Sequence, residues 1–153
     1  MKHHILIQKA TKQCFIPKVA LLRQWADAAL LSRSEPAEIT LRIVSLEEIT
    51  MLNTQYRHKQ GPTNVLSFPY DGPPELQLKR RLLGDIVICP AILEEEAVAQ
   101  QKPLPAHWAH MVIHGVLHLQ GYDHQNDKEA SAMEALETNI MHQLGFNNPY
   151  EGK

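Results

Sequence analysis

Several short segments of the chain show the alternation of apolar and polar residues that is typical of β-strands. The clearest is Ile39-Thr40-Leu41-Arg42-Ile43, where every second residue is apolar, as expected for a strand with one buried face. Further strands are predicted at residues 3–8, Val65–Phe68 and Asp85–Cys89, which are rich in β-branched and aromatic residues. The turn-forming residues Asp71-Gly72-Pro73-Pro74 predict a loop between the last two strands.

Helix signals separate these strands and then dominate the second half of the chain. Pro17 opens a helix that is predicted to run to Leu31. Ser45-Leu46-Glu47-Glu48 matches a capping box, which predicts a helix from Leu46 to Tyr56. Three more helices are predicted: one from near Pro90, one from Pro105 to Gln120 that is terminated by Gly121, and one after Asn126 that ends at Gly145. This order predicts an α+β fold, with a small mixed β-sheet covered by helices.

Length and composition are those of an ordinary globular protein, and we predict a single domain over residues 1–153. Cys14 and Cys89 form no CxxC pair, which suits free thiols in a reducing compartment. The net charge of -2 argues against a protein that coats nucleic acid through overall positive charge, although it permits a local basic site. The sequence contains neither an apolar run of about 18 residues nor a secretory signal pattern. We therefore expect a cytoplasmic protein without a membrane partner.

Histidine is the residue in which the composition departs from the ordinary. Five of the nine histidines fall within eighteen positions: His107, His110, His114, His118 and His124. Residues four apart lie on one face of a helix, so His114 and His118 can direct two imidazoles at one ion. Gly121 ends the helix and lets His124 return as a third ligand. Three histidines leave one tetrahedral position open, as a catalytic zinc site requires, and we predict one Zn²⁺ per chain.

The neighbouring polar residues are expected to have simpler roles. His110 lies one turn before the first predicted ligand, and we interpret it as a residue that supports the site or packs the helix. His107 is predicted on the surface, and Glu94-Glu95-Glu96 on a solvated helix face. Asp85 and Asp123 are candidates for orienting a ligand, because ligating histidines usually donate their other N–H to an acceptor.

The spacing of the three histidines and Gly121 also matches the HExxHxxGxxH pattern of the metzincin peptidases. In that pattern a glutamate directly after the first histidine is the general base of peptide hydrolysis. Gly115 occupies that position here and cannot accept a proton. The sequence therefore combines the peptidase's metal ligands with the absence of its base, which weakens the peptidase hypothesis.

Residues 114–124, which read HGVLHLQGYDH, resemble the signature of the YbeY family of bacterial metal-dependent endoribonucleases. The resemblance extends to LNTQYRHK at residues 52–59, PTNVLSFP at residues 62–69 and LGDIVI at residues 83–88. It also includes a C-terminal block: Met133, Glu137, Leu144-Gly145 and Pro149-Tyr150.

This resemblance implies a zinc-dependent endoribonuclease that acts on single-stranded regions of ribosomal RNA, including the 3′ end of the small-subunit RNA. It implies a role in ribosome maturation or quality control, with the small ribosomal subunit and its associated proteins as partners and no action on DNA. It further implies a catalytic role for Arg57, whose guanidinium suits phosphate because it binds bidentately and stays charged. Without the resemblance, a solvated arginine that is favoured by the helix dipole would be the better interpretation of Arg57; with it, the catalytic role is the better one. Two alternatives stay open: a metallopeptidase-like hydrolase, and a non-catalytic ribosome assembly factor with a structural zinc.

Overall fold

The structure is a computed structural model that describes residues 3–12, 14–30, 35–72, 81–123 and 125–150. Within these residues the elements follow the order β1 (His4–Lys9), α1 (Val19–Ala28), β2 (Ala37–Ile43), α2 (Leu46–Arg57), β3 (Val65–Pro69), β4 (Arg81–Ile88), α3 (Pro90–Ala99), α4 (Leu104–Leu119) and α5 (Asp127–Gln143). The predicted α+β class is confirmed.

The four strands form one mixed sheet in the order β1-β2-β4-β3. β1 pairs parallel to β2 and β2 parallel to β4, whereas β3 pairs antiparallel to β4 and forms an edge of the sheet. The pairing of β2 with β4 shifts register between Glu38 and Ile39, which face Leu82 and Gly84 respectively. Gly84 has a φ of +138°, and a Cβ at this position would lie only 2.1 Å from the carbonyl oxygen of Phe68. Only glycine fits this bulge without moving the backbone of β3.

Helices cover both faces of the sheet. Neighbouring residues of β4 show the division, because Ile86 belongs to the main core with α1, α4 and α5, whereas Val87 belongs to a smaller cluster with Ile49 of α2. This alternation follows from the two-residue period of a strand. The main core thus lies between the sheet and the layer that contains α4.

α4 occupies the centre of that layer and contacts α1, α3, α5, β3 and β4. Its apolar side chains Trp108, Ile113 and Val116 are fully buried. The helix lies close against the sheet at Gly115, where a Cβ would lie 2.9 Å from Cγ2 of Ile86. The Ser67 hydroxyl of β3 also lies 3.4 Å from the Gly115 carbonyl oxygen. α4 is therefore fixed against β3 and β4 directly beside His114.

Local signals predicted the helix ends well. The Ser45 hydroxyl accepts a hydrogen bond from the backbone N–H of Glu48, and the Asn126 side chain accepts one from that of Glu129. Gly121 has a φ of +100° just beyond α4, as expected for a helix-terminating glycine. α1 is shorter than predicted, since it spans Val19–Ala28, and the predicted end at Leu31 lies outside the described residues. Residues 73 and 74 of the predicted loop also lie outside them. Among the described helices, none has the length and apolar character needed to cross a bilayer.

Candidate metal centre

His114 and His118 lie on the same face of α4, and the structure brings their imidazoles together. Their Nε2 atoms are 3.1 Å apart, and the two ring planes are inclined by 83°. Two nitrogens that bind one tetrahedral zinc at about 2.0–2.1 Å lie roughly 3.3 Å apart, so the observed separation suits a shared ion. His124, the third predicted ligand, lies outside the described residues.

The carboxylate of Glu137 in α5 contacts two histidines of α4, His114 and His110. Its side chain is wholly buried, and one oxygen, Oε2, lies 2.6 Å from Nδ1 of His114. The other oxygen, Oε1, lies 2.9 Å from Nε2 of His110 and also accepts a hydrogen bond from the Tyr150 hydroxyl. One buried carboxylate therefore connects α4, α5 and the segment that follows α5.

The protonation states in this cluster follow from its burial and hydrogen bonds. Burial alone would raise the pKa of Glu137, but the hydrogen bonds from His110 and His114 outweigh it and lower that pKa to about 2. Burial lowers the pKa of His110. Burial, followed by the hydrogen bond to Glu137, raises the pKa of Tyr150 far above its ordinary value. At neutral pH the carboxylate is therefore ionised, His110 is neutral and the Tyr150 hydroxyl keeps its proton.

These residues allow two different arrangements of a metal site. His110, His114 and Glu137 place potential ligand atoms within 4.8 Å of one another and could hold an ion. The distances of 2.6 and 2.9 Å, however, are those of charge-assisted hydrogen bonds, and an ion there would have to displace both N–H donors from a buried carboxylate. The second arrangement uses the opposite nitrogen of His114, Nε2, which faces His118. We favour this second arrangement, because it leaves the hydrogen bonds of Glu137 intact.

The prediction that His107 lies on the surface is wrong. Its side chain is buried, and its Nε2 lies 2.8 Å from Oε1 of Glu96. Glu96 also accepts hydrogen bonds from the Asn64 amide, so it does not belong to a purely solvated helix face. The reason is that the first turn of α4 packs against α3, which covers His107. His110 is likewise buried and bonds Glu137, consistent with the predicted supporting role.

A cavity of about 240 Å³ borders the histidine cluster. It is lined by the polar side chains of Asn64, Glu96 and Lys102 together with His110 and His114. Because a water molecule occupies roughly 30 Å³ in the liquid, this space can hold several. Solvent or a small polar group can therefore approach His114 from the side of α4 that faces α3.

Arg57 is the last residue of α2, and its side chain is exposed. No hydrogen bond or ion pair joins it to the histidines of α4 or to any other described residue. The preceding residue, Tyr56, packs edge-on against Phe68 of β3 with ring centroids 5.5 Å apart. Ser67, the neighbour of Phe68, points to the opposite face of the sheet and contacts α4. The C-terminal end of α2 and the helix that bears the histidines therefore lie on either side of the edge strand β3.

Sequence reasoning missed the role of Glu137, although a signal for it was present. Met133, Glu137, Ile140 and Met141 form the buried face of α5, so a glutamate occupies a position of the apolar stripe. Such a buried charge requires a partner. The side chain of Asp85, the strand residue considered for orienting a histidine, is exposed and makes no hydrogen bond or ion pair with a described residue.

Comparisons with known proteins show to which family the chain belongs. The family model described as endoribonuclease YbeY matches residues 7–145. The chain is also similar to TM1509 from Thermotoga maritima, whose solution structure it matches with a TM-score of 0.62 at 28% sequence identity. That match covers 92% of this chain and 88% of the other. Since the family match spans every element from within β1 to the end of α5, the resemblance found in the sequence is confirmed, and the chain belongs to the YbeY endoribonuclease family.

Proposed function

We propose that this protein is a zinc-dependent endoribonuclease that cleaves single-stranded regions of ribosomal RNA in the cytoplasm, including the 3′ end of the small-subunit RNA. The observation that carries the proposal is the pair of Nε2 atoms of His114 and His118, which face each other at 3.1 Å in a chain of an endoribonuclease family. The small ribosomal subunit and its associated proteins are the proposed partners.

In this proposal the ligands are His114, His118 and His124. Neutral imidazoles suit zinc, although nickel and copper also accept such donors. His114 meets a further requirement of a zinc ligand, because its second nitrogen has a carboxylate acceptor in Glu137. When bound, a zinc ion in this setting polarises a phosphoryl oxygen or lowers the pKa of a water molecule to about 7.

Arg57 is the proposed contact for the phosphate of the scissile bond. Its side chain is exposed and unpaired among the described residues, so binding a phosphate breaks no existing interaction. The chain segment around it suits an anion, because residues 49–70 include Arg57 and Lys59 but neither aspartate nor glutamate. A guanidinium in this position stabilises the negative charge that develops on the phosphoryl oxygens.

The peptidase alternative loses support from the packing of α4. The position of a peptidase's general base is Gly115, where even a Cβ would lie 2.9 Å from the buried side chain of Ile86. A glutamate would therefore require α4 to move away from the sheet, and the histidines would move with it.

The test compares RNA cleavage by the wild-type protein with that of Arg57→Ala and His118→Ala, after chelation and reloading with Zn²⁺. The substrate is a single-stranded RNA that spans the 3′ end of the small-subunit RNA. We expect Arg57→Ala to lower the cleavage rate by roughly 10²–10³-fold, the usual cost of removing one donor to a transition-state oxyanion. Arg81→Ala, which removes another exposed arginine, serves as the matched control and should cleave normally.

The outcomes separate the remaining explanations. Cleavage that survives both substitutions would identify a contaminating nuclease. A wild-type protein that binds zinc and the small ribosomal subunit but never cleaves RNA would instead support the assembly-factor alternative.

A further inference from the structure

We propose that Glu137 is a positioning residue for the metal centre: it fixes His114 with the proton on Nδ1 and directs Nε2 toward His118. Tyr150 and His110 hold Glu137 in turn. The inference rests on the proposed function only in placing the ion between the two histidines of α4.

The tautomer of His114 follows from its two neighbours. The buried carboxylate group of Glu137 lies 2.6 Å from Nδ1 of His114, so we assign the proton of this hydrogen bond to Nδ1. A neutral imidazole carries one N–H, and Nε2 therefore presents its lone pair. That lone pair faces Nε2 of His118 at 3.1 Å. Glu137 thus fixes Nε2, and not Nδ1, as the nitrogen of His114 that can bind an ion beside His118.

The carboxylate is itself held rigidly. Its second oxygen accepts from His110 and from the Tyr150 hydroxyl, so rotation of the carboxylate would break hydrogen bonds on both sides. The Tyr150 ring also packs edge-on against the His110 ring, with centroids 5.2 Å apart. Because the carboxylate is wholly buried, no bulk water is present to replace a lost partner.

The C-terminal segment anchors this arrangement. Tyr150 follows Pro149, whose carbonyl oxygen accepts a hydrogen bond of 2.5 Å from the Lys102 ammonium group just before α4. The hydroxyl that orients Glu137 is therefore fixed to the N-terminal side of the helix that carries the metal ligands. Ligand geometry on α4 depends in this way on residues that lie beyond α5.

The experiment measures Zn²⁺ affinity of the full chain by competition with a chromophoric chelator, without RNA. We expect Glu137→Gln to weaken zinc binding about 10–100-fold, the usual effect of losing a carboxylate partner of a ligating histidine. Tyr150→Phe removes only the hydroxyl and should cost less, roughly three- to tenfold. Glu95→Gln alters an exposed glutamate of α3 and should leave the affinity unchanged.

A second readout reports the tautomer directly. Nitrogen-15 NMR of the metal-free protein should show His114 protonated on Nδ1 in the wild type, and a mixture of tautomers in Glu137→Gln. A purely structural role for Glu137 would lower stability without changing the tautomer. If Glu137→Gln fails to fold, the wild-type spectrum and Tyr150→Phe still decide the question.

Two results would overturn the inference. One is a wild-type His114 that carries its proton on Nε2. The other is a zinc site that survives His118→Ala but is lost in His110→Ala, which would place the ion between His110, His114 and Glu137 instead. Loss of ribonuclease activity alone does not bear on the inference, because affinity and tautomer are both measured in the absence of RNA.

Discussion

Replacement of Gly115 by alanine is a direct test of how tightly α4 is packed on the sheet. In an unhindered helix, Gly→Ala stabilises by about 1 kcal/mol, because alanine has the higher helix propensity. Here the new methyl group would lie 2.9 Å from Cγ2 and 3.3 Å from Cδ1 of Ile86. Ile86 is fully buried in a strand with neighbours on both sides, and its Cγ2 is attached at the branch point, so it cannot easily turn away. Overpacking of this kind costs about 1–3 kcal/mol. The overpacking cost less the gain in helix propensity leaves an expected loss of up to about 2 kcal/mol in the free energy of unfolding of Gly115→Ala.

Urea unfolding of the metal-free protein, followed by circular dichroism, measures this change without a contribution from zinc binding. The matched measurement repeats Gly115→Ala in an Ile86→Ala background, where the colliding methyl is absent. There the substitution should stabilise, because helix propensity acts alone and the methyl fills part of the cavity. A reversal of sign between the two backgrounds is the expected result. If Gly115→Ala stabilised the otherwise wild-type protein, or had the same effect on stability in both backgrounds, the close approach of α4 to β4 would be refuted.

Two other substitutions test the elements that surround the site. Gly84→Ala should destabilise the protein by about 3 kcal/mol or more, because Gly84 has a φ of +138° and the new methyl group would collide with the Phe68 carbonyl oxygen. The same unfolding assay measures this loss, and a value below about 1 kcal/mol would contradict the bulge. Ser45→Ala should cost about 1 kcal/mol through loss of the α2 cap, whereas Ser45→Asp should retain most of the stability, and equal losses in both variants would rule out capping as the cause.

The features that the sequence predicted well are those that depend on near neighbours along the chain. The caps at Ser45 and Asn126 each involve a residue three positions on, and the convergence of His114 and His118 involves a spacing of four. Such spacings fix relative positions within one helix, whatever that helix packs against. The features that it predicted poorly depend on which elements meet. Whether His107 is exposed is decided by the packing of α3 beside the first turn of α4, and the alternation of residues within α4 contains no information on that neighbour.

Gly115 and Glu137 show that the interpretation of this site requires both the residue spacing along the chain and the packing between elements. The spacing of the histidines is shared with a family of peptidases, so the predicted ligands alone do not separate two classes of hydrolase. Gly115 in the sequence already removes the peptidase's base; the structure adds that the sheet leaves no room for a base there and that α5 supplies a carboxylate beside His114. Both follow from how α4 is packed, and neither follows from the periodicity of α4 itself. A charged residue on an otherwise apolar helix face, such as Glu137 between Met133 and Ile140, is nevertheless visible in a sequence. Because a buried charge must be paired, a glutamate at such a position near a predicted histidine site indicates a partner of the ligands.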